Sequence, residues 1–391
     1  MDQTMSLLSA VEASDSLLLA EIGAVFLFLG VIAFLAAKLR ISAVPFFLVS
    51  GLAFGNGGIA TFSLSESFLE TGAQIGAVLL LLLLGLEYSA RELGSAVRVH
   101  RSVGVMDVLV NATPGAVAAA LLGWGVPGAV ALGGITYVSS SGIASQLIRD
   151  TGWQRSEVAR RTVSVLVVED LLLAPYLPLV TALVTGLSFV AGLISVSVAL
   201  VITGAVLLFG VHNETFISNI LNAREPRGLL FTVFGAALLA AGLATYVGFS
   251  GAVAAFLIGL LLTGDVASTV RARLSPLRDF FSAVFFLFFG LSTNPAEIPG
   301  VFPVALALAV AGTAGKLFIG WYAARDLSDQ MSWRRVGAFL IPRGEFSIII
   351  AGLVVGMSYS REIQALTTTY VILTAIFGSL AIASLRSRFD R

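Results

Sequence analysis

Two adjacent carboxylates, Glu169 and Asp170, interrupt the apolar run Val163–Pro178, which reads VSVLVVEDLLLAPYLP. That run is apolar enough to cross a bilayer, and an ionised side chain at mid-depth costs roughly 2.5–3.5 kcal/mol on insertion scales. Packing gives no reason to keep two such groups there, so the pair reads as an ion or proton site. Neighbouring residues on an α-helix point about 100° apart. One carboxylate can therefore face an aqueous cavity while the other meets a neighbouring helix. Pro175 and Pro178 follow; each lacks a backbone donor, and a bend just past the pair is expected.

Three more charged residues fall inside apolar segments: Lys316, Arg343 and Glu345. Each is costly there unless paired or hydrated. Glu21, Glu87 and Asp107 are weaker members of the set, each placed by its segment close to a membrane interface. Cysteine is absent, which excludes disulfides, thiolate metal sites and cysteine nucleophiles. With only two histidines, His100 and His212, far apart in sequence, a histidine metal cluster is not expected. No nucleotide-binding, metal or nucleophile motif points to an enzyme.

The elements that must position these groups are membrane helices. Of the 391 residues 57% are hydrophobic and 12% charged, about half the charged fraction of a soluble chain. About thirteen spans are expected, near 17–37, 44–54, 72–88, 103–122, 127–148, 158–180, 187–210, 228–243, 249–262, 277–291, 301–324, 336–355 and 363–385. With the N-terminus outside, all 23 Lys and Arg except Lys316, Arg343 and Arg361 fall in inward loops. The positive-inside rule thus favours an odd number of spans, N-terminus out and C-terminus cytoplasmic. The start, MDQTMSLLSAVEASDS, has no basic n-region and does not read as a cleaved signal peptide.

Two spans carry breaks at mid-depth. One contains TYVSSSG, with Ser139, Ser140, Ser141 and Gly142 in a row; the other contains IPRGE, with Pro342 and Gly344 flanking Arg343. A break strands backbone groups, which a membrane tolerates only where protein or a water-filled cavity satisfies them. Each break lies near a charged span, and this correspondence between the halves is the sign of an inverted-repeat secondary transporter.

Taken in order, these segments resemble the monovalent cation:proton antiporter-2 family, which includes Kef-type potassium/proton and Nap-type sodium/proton antiporters. The resemblance covers nearly the whole chain: VPFFLVSGLAFGNGG (44–58), IGAVLLLLLLGLEYSARELG (75–94), YVSSSGIASQLI (137–148), VLVVEDLLLAP (165–175), GFSGAVAAFLIGLLL (248–262), PLRDFFSAVFFLFFGLSTN (276–294) and IPRGEFSIII (341–350). It implies an all-α polytopic membrane protein of the Nha-type antiporter fold, with inverted repeats and two broken crossing helices. Residues 71–180 and 300–357 would form an ion-transport core, and 16–70 and 186–292 mostly a dimerisation scaffold.

By the same resemblance Asp170 is the monovalent cation and proton site. Glu169 stands where relatives have Asn, Gln or Asp, a departure that leaves ion choice and stoichiometry open. Ser139, Ser140 and Ser141 would supply hydroxyl or carbonyl oxygens to the ion. Gly142, Pro342 and Gly344 would make the breaks. Lys316 is expected to neutralise Glu169, and Arg343 to pair with Glu345 or Glu87. The expected activity is exchange of K⁺, or else Na⁺, for H⁺ across the cell membrane, with no cofactor beyond the transported ions. The alternatives are a pH- or subunit-gated cation channel and a Na⁺-coupled solute symporter. Expected partners are a second copy in a homodimer, a separate cytosolic nucleotide-binding regulatory subunit and membrane lipid, with no role for nucleic acid.

Overall fold

Long apolar runs punctuated by Gly, Pro and Ser fold here into helices that meet through small residues and bury their polar stripes inward. The computed structural model describes residues 2–39, 43–55, 58, 66–86, 90–153, 155–184, 226–246, 251–327, 329 and 331–386, with isolated positions 197, 201, 205 and 208. The helices are α1 (Asp2–Leu39), α2 (Val44–Phe54), α3 (Glu66–Gly85), α4 (Ala90–Leu121), α5 (Gly125–Tyr137), α6 (Ser141–Thr151) and α7 (Glu157–Val184). After them come α8 (Pro226–Tyr246), α9 (Gly251–Leu260), α10 (Gly264–Ser292), α11 (Ile298–Ala324), α12 (Ser332–Leu340), α13 (Glu345–Leu353) and α14 (Ser360–Arg386).

Among the described residues eight segments are long and apolar enough to span a membrane by length and composition. Large apolar side chains such as Leu27 and Phe34 on α1, and Phe231 and Leu239 on α8, are exposed. In lipid that exposure carries no hydrophobic penalty, because acyl chains are as apolar as leucine. Of the expected span at 187–210 only positions 197, 201, 205 and 208 are described, and the side chains of His100 and His212 lie outside the described residues. α7 continues through positions 175 and 178 to Val184.

The helices pack in two sets. In one, α3 lies on α9 and α10, α2 on α10, and α8 on α9 and α10. Backbone meets backbone at Gly51 with Gly290 and at Gly85 with Gly259, where any Cβ would collide with the facing main chain. Dispersion between close backbones replaces the hydrophobic force that lipid removes. In the other set, α4 packs on α5 and α11, α11 on α12 and α14, and α13 on α5 and α14. The sequence grouped α3 with the ion-transport helices from residue 71 onward; its main neighbours are α9 and α10.

α7 is the organising element of the second set. It touches both halves of both interrupted helices, α5 and α6 on one side and α12 and α13 on the other, together with α4 and α11. The entry to α12 is fixed by Asp329, which accepts the Met331 amide at 3.0 Å, the Ser332 hydroxyl at 3.2 Å and an Arg335 guanidinium N–H at 2.8 Å. The Arg335 guanidinium lies 5.0 Å from the centre of the Trp153 ring, and that ring packs edge-on against Phe339.

Candidate functional site: a buried carboxylate pair at two crossed breaks

Both breaks fall where the sequence placed them. α5 ends at Tyr137 and α6 starts at Ser141; α12 ends at Leu340 and α13 starts at Glu345. A helix end leaves up to four carbonyls or four amides without intrahelical partners, and here several of those groups find partners across or beside the crossing. The Ser140 amide donates to Pro342 O at 2.8 Å. The Ser347 hydroxyl donates to Ile135 O at 2.9 Å. The Arg343 amide donates to the Thr374 hydroxyl at 3.2 Å. Gly344 allows this approach: a Cβ there would stand 2.6 Å from Ser140 Oγ.

Arg343 corrects the expectation attached to it. Among the described residues it meets carbonyls rather than Glu345: its fully buried guanidinium takes the carbonyl ends of both broken helices. Nε and Nη2 donate to Thr136 O at 3.1 and 2.8 Å, closing α5. Nη1 donates to Leu340 O at 3.0 Å and Ile341 O at 2.7 Å, closing α12. Carbonyl ends carry the negative pole of a helix, so one cation stabilises two of them at once. Tyr370 adds its hydroxyl to Thr136 O at 3.3 Å.

Glu345 does the converse job. It lies in the first turn of α13, where the dipole favours an anion. Its Oε2 accepts the Ser140 hydroxyl at 2.8 Å, and the same hydroxyl oxygen accepts the Ile143 amide at 3.2 Å, capping α6. A Cβ on Gly142 would lie 3.3 Å from Glu345 Oε1. One carboxylate therefore serves the amino ends of α6 and α13, while one guanidinium serves the carbonyl ends of α5 and α12. Glu87, the other acid expected near Arg343, lies outside the described residues.

Beside this crossing α7 presents Glu169 and Asp170, both 1% exposed. Glu169 Oε2 accepts the Ser139 amide at 2.5 Å, and Oε1 accepts the Lys316 ammonium at 3.0 Å. Ser139 Oγ lies 2.8 Å from Leu340 O and 3.2 Å from Glu169 Oε1, so its single proton can serve either acceptor. Ser139 and Ser140 occupy the first break and are buried; Ser141 opens α6 and is partly buried. Pro342 and Gly344 sit in the second break, and Gly142 is exposed in the first turn of α6. Asp170 is thus enclosed in protein on the helix that contacts both crossings, away from the lipid-facing surface.

The expected Lys316–Glu169 pair is present, and with it a residue that the sequence placed at an interface. Asp107, 1% exposed, receives the Lys316 ammonium at 2.8 Å on Oδ1 and 3.0 Å on Oδ2. Asn111, one turn later on α4, donates to Asp107 Oδ1 at 2.7 Å. The spacing Asp107-x3-Asn111 puts two polar groups on one helix face, and that stripe was the available clue.

Oxygen donors, a buried carboxylate pair and interrupted helices define a class of protein. It is a polytopic α-helical membrane protein of the antiporter fold, with two interrupted helices crossed beside buried carboxylates. A sequence profile described as sodium/hydrogen exchanger, transmembrane, matches residues 24–386, and the chain belongs to that family. It is 28% identical over 372 residues to the K⁺/H⁺ antiporter subunit KhtU of Bacillus subtilis, covering 92% of this chain and 91% of that one. It is equally identical, over 369 residues, to the ammonium/H⁺ antiporter subunit AmhT of Alkalihalophilus pseudofirmus, covering 92% and 90%. The sodium proton antiporter MjNhaP1 of Methanocaldococcus jannaschii shares the fold, with a TM-score of 0.65 at 19% identity over 96% of this chain and 97% of that one.

Proposed function

We propose that the chain is a secondary antiporter that exchanges a monovalent cation, K⁺ in preference to Na⁺, for protons by alternating access at Asp170. The observation that carries the reading is the burial of Glu169 and Asp170 on a helix that touches both halves of both crossed helices. Asp170 releases its proton to take the cation and releases the cation to take a proton. An empty, ionised carboxylate is costly to move through a low-dielectric interior, so only the loaded carrier crosses and exchange is enforced. Glu169, the Ser139–Ser141 hydroxyls and carbonyls, and water complete the oxygen set that a dehydrated alkali cation needs. The compensated half-helix ends let the crossing move as a rigid unit, carrying the site from one side to the other.

The preference for K⁺ draws on the names of KhtU and AmhT, because ammonium and K⁺ are cations of similar size. Those names also call each protein a subunit, which supports a separate regulatory chain alongside a homodimer. The distribution of basic residues supports an outside N-terminus and a cytoplasmic C-terminus in the cell membrane. This activity is transport and needs no cofactor.

The test is proton flux in proteoliposomes challenged in turn with K⁺, Na⁺, Li⁺, Rb⁺ and NH₄⁺. Proton movement at a fixed ratio to K⁺ flux supports the reading. Large currents that reverse at the cation equilibrium potential identify a channel, and Na⁺-driven solute uptake without proton movement identifies a symporter.

A further inference from the structure

The Lys316 ammonium has three N–H donors. Two hydrogen bonds reach the oxygens of Asp107 at 2.8 and 3.0 Å, and one reaches Glu169 Oε1 at 3.0 Å. All three side chains are at most 1% exposed, and the Tyr137 ring lies 5.3 Å from Nζ. Two buried carboxylates therefore share a single cation, and the closer, two-pronged bond goes to Asp107 rather than to the residue beside Asp170. Asn111 donates to Asp107 Oδ1 from the adjacent turn at 2.7 Å and helps to orient the carboxylate toward the lysine.

We infer that Asp107 is a positioning residue for the ion site: it keeps Lys316 compensated so that Glu169 can turn from the lysine to the arriving cation. Removing one partner of a buried ion pair strands a charge in a low-dielectric interior, at a large cost. If Glu169 were the sole partner of Lys316, each cation drawing on Glu169 would incur that cost, and Asp170 would face the ion with little help. With Asp107 in place the ammonium stays paired and Glu169 is released as a second anionic ligand. The departure at position 169, a carboxylate next to the essential one, and the additional carboxylate at 107 are thus one device. This inference rests on the exchange reading at Asp170.

The experiment is K⁺-dependent proton movement in proteoliposomes, with KM and maximal rate measured for wild type, Asp107→Asn, Asp107→Glu and Asp107→Asn/Lys316→Met. Asp107→Asn leaves Glu169 as the sole partner of Lys316, and KM for K⁺ rises at least tenfold while the maximal rate changes less than threefold. Asp107→Glu restores KM to within about threefold. Asp107→Asn/Lys316→Met removes the pair as a unit, frees Glu169 and also returns KM to within about threefold of wild type. Should Asp107→Asn fail to fold, the double variant decides: KM near wild type supports the inference, and a tenfold rise overturns it. Unchanged KM in Asp107→Asn, or a fall in maximal rate at constant KM, marks a structural role and overturns it as well. Wild-type protein without K⁺-dependent proton movement refutes the exchange reading and the inference together; wild-type exchange with KM indifferent to Asp107 refutes the inference only.

Discussion

The amide of Ser140 donates to the carbonyl of Pro342 across 2.8 Å, so the two interrupted helices touch at their breaks. Around that contact freed backbone groups pair with Arg343, Ser347 and Thr374, so a non-helical backbone can persist at membrane depth. The crossing is a folded unit in its own right, and the carboxylate pair on α7 rests against it.

Arg343 is central to that unit. Arg343→Ala leaves the Thr136, Leu340 and Ile341 carbonyls without the guanidinium, each a buried polar group that costs about 1–3 kcal/mol unpaired. A loss of roughly 3–5 kcal/mol is expected, seen as a lower melting temperature of the detergent-solubilised protein. Arg343→Lys recovers little of it, because a point ammonium cannot span two helix ends as a planar fork does.

Gly344 tests the closeness of the approach. Gly344→Ala puts a methyl 2.6 Å from Ser140 Oγ and should destabilise by about 1–3 kcal/mol. Gly352→Ala, near the far end of α13 from the same break, meets nothing within 4 Å and should be neutral or slightly stabilising. Equal effects in thermal unfolding would contradict the geometry.

Lys316→Gln leaves Asp107 and Glu169 facing one another without their shared cation. Breaking a buried ion pair from one side costs about 3–5 kcal/mol, so folded yield and melting temperature should both fall. Lys316→Gln combined with Asp107→Asn should recover part of the loss, because the second substitution removes a stranded charge.

Asp329 gives a pH-dependent prediction outside the membrane segments. Chiefly the Met331 amide, against the opposing effect of burial and helped by Arg335 and the Ser332 hydroxyl, holds its carboxyl below the ordinary aspartate value. Its stabilisation is therefore present above the unfolded pKa of about 3.9 and disappears as pH falls through the lower folded value. The carboxylate is about half exposed, so solvent screening limits the contribution to a few tenths up to about 1 kcal/mol. Asp329→Asn should lower the melting temperature slightly at pH 7, and the difference from wild type should shrink well below pH 4.

Much of this arrangement was legible in the sequence because its signals are local. SSSG and IPRGE announce breaks wherever they occur in an apolar span, and Glu169–Asp170 is conspicuous at mid-helix. What local patterns cannot carry is the register between distant helices. Asp107 reads as interfacial when its span is started at Val103, yet α4 begins at Ala90 and brings Asp107 and Asn111 to face Lys316, 209 positions away. Arg343 was given an acidic partner because a buried cation needs a counter-charge. Two helix carbonyl ends supply it, which requires knowing that the breaks meet.

Asp170 remains the centre of the account, and Asp170→Asn tests it most directly. Purified protein is reconstituted into proteoliposomes, its folded state is checked by thermal unfolding, and proton movement is followed on addition of K⁺ or Na⁺. Folded Asp170→Asn protein with no cation-dependent proton movement, beside active wild type, is the predicted result; exchange at the wild-type rate in the folded variant would contradict it.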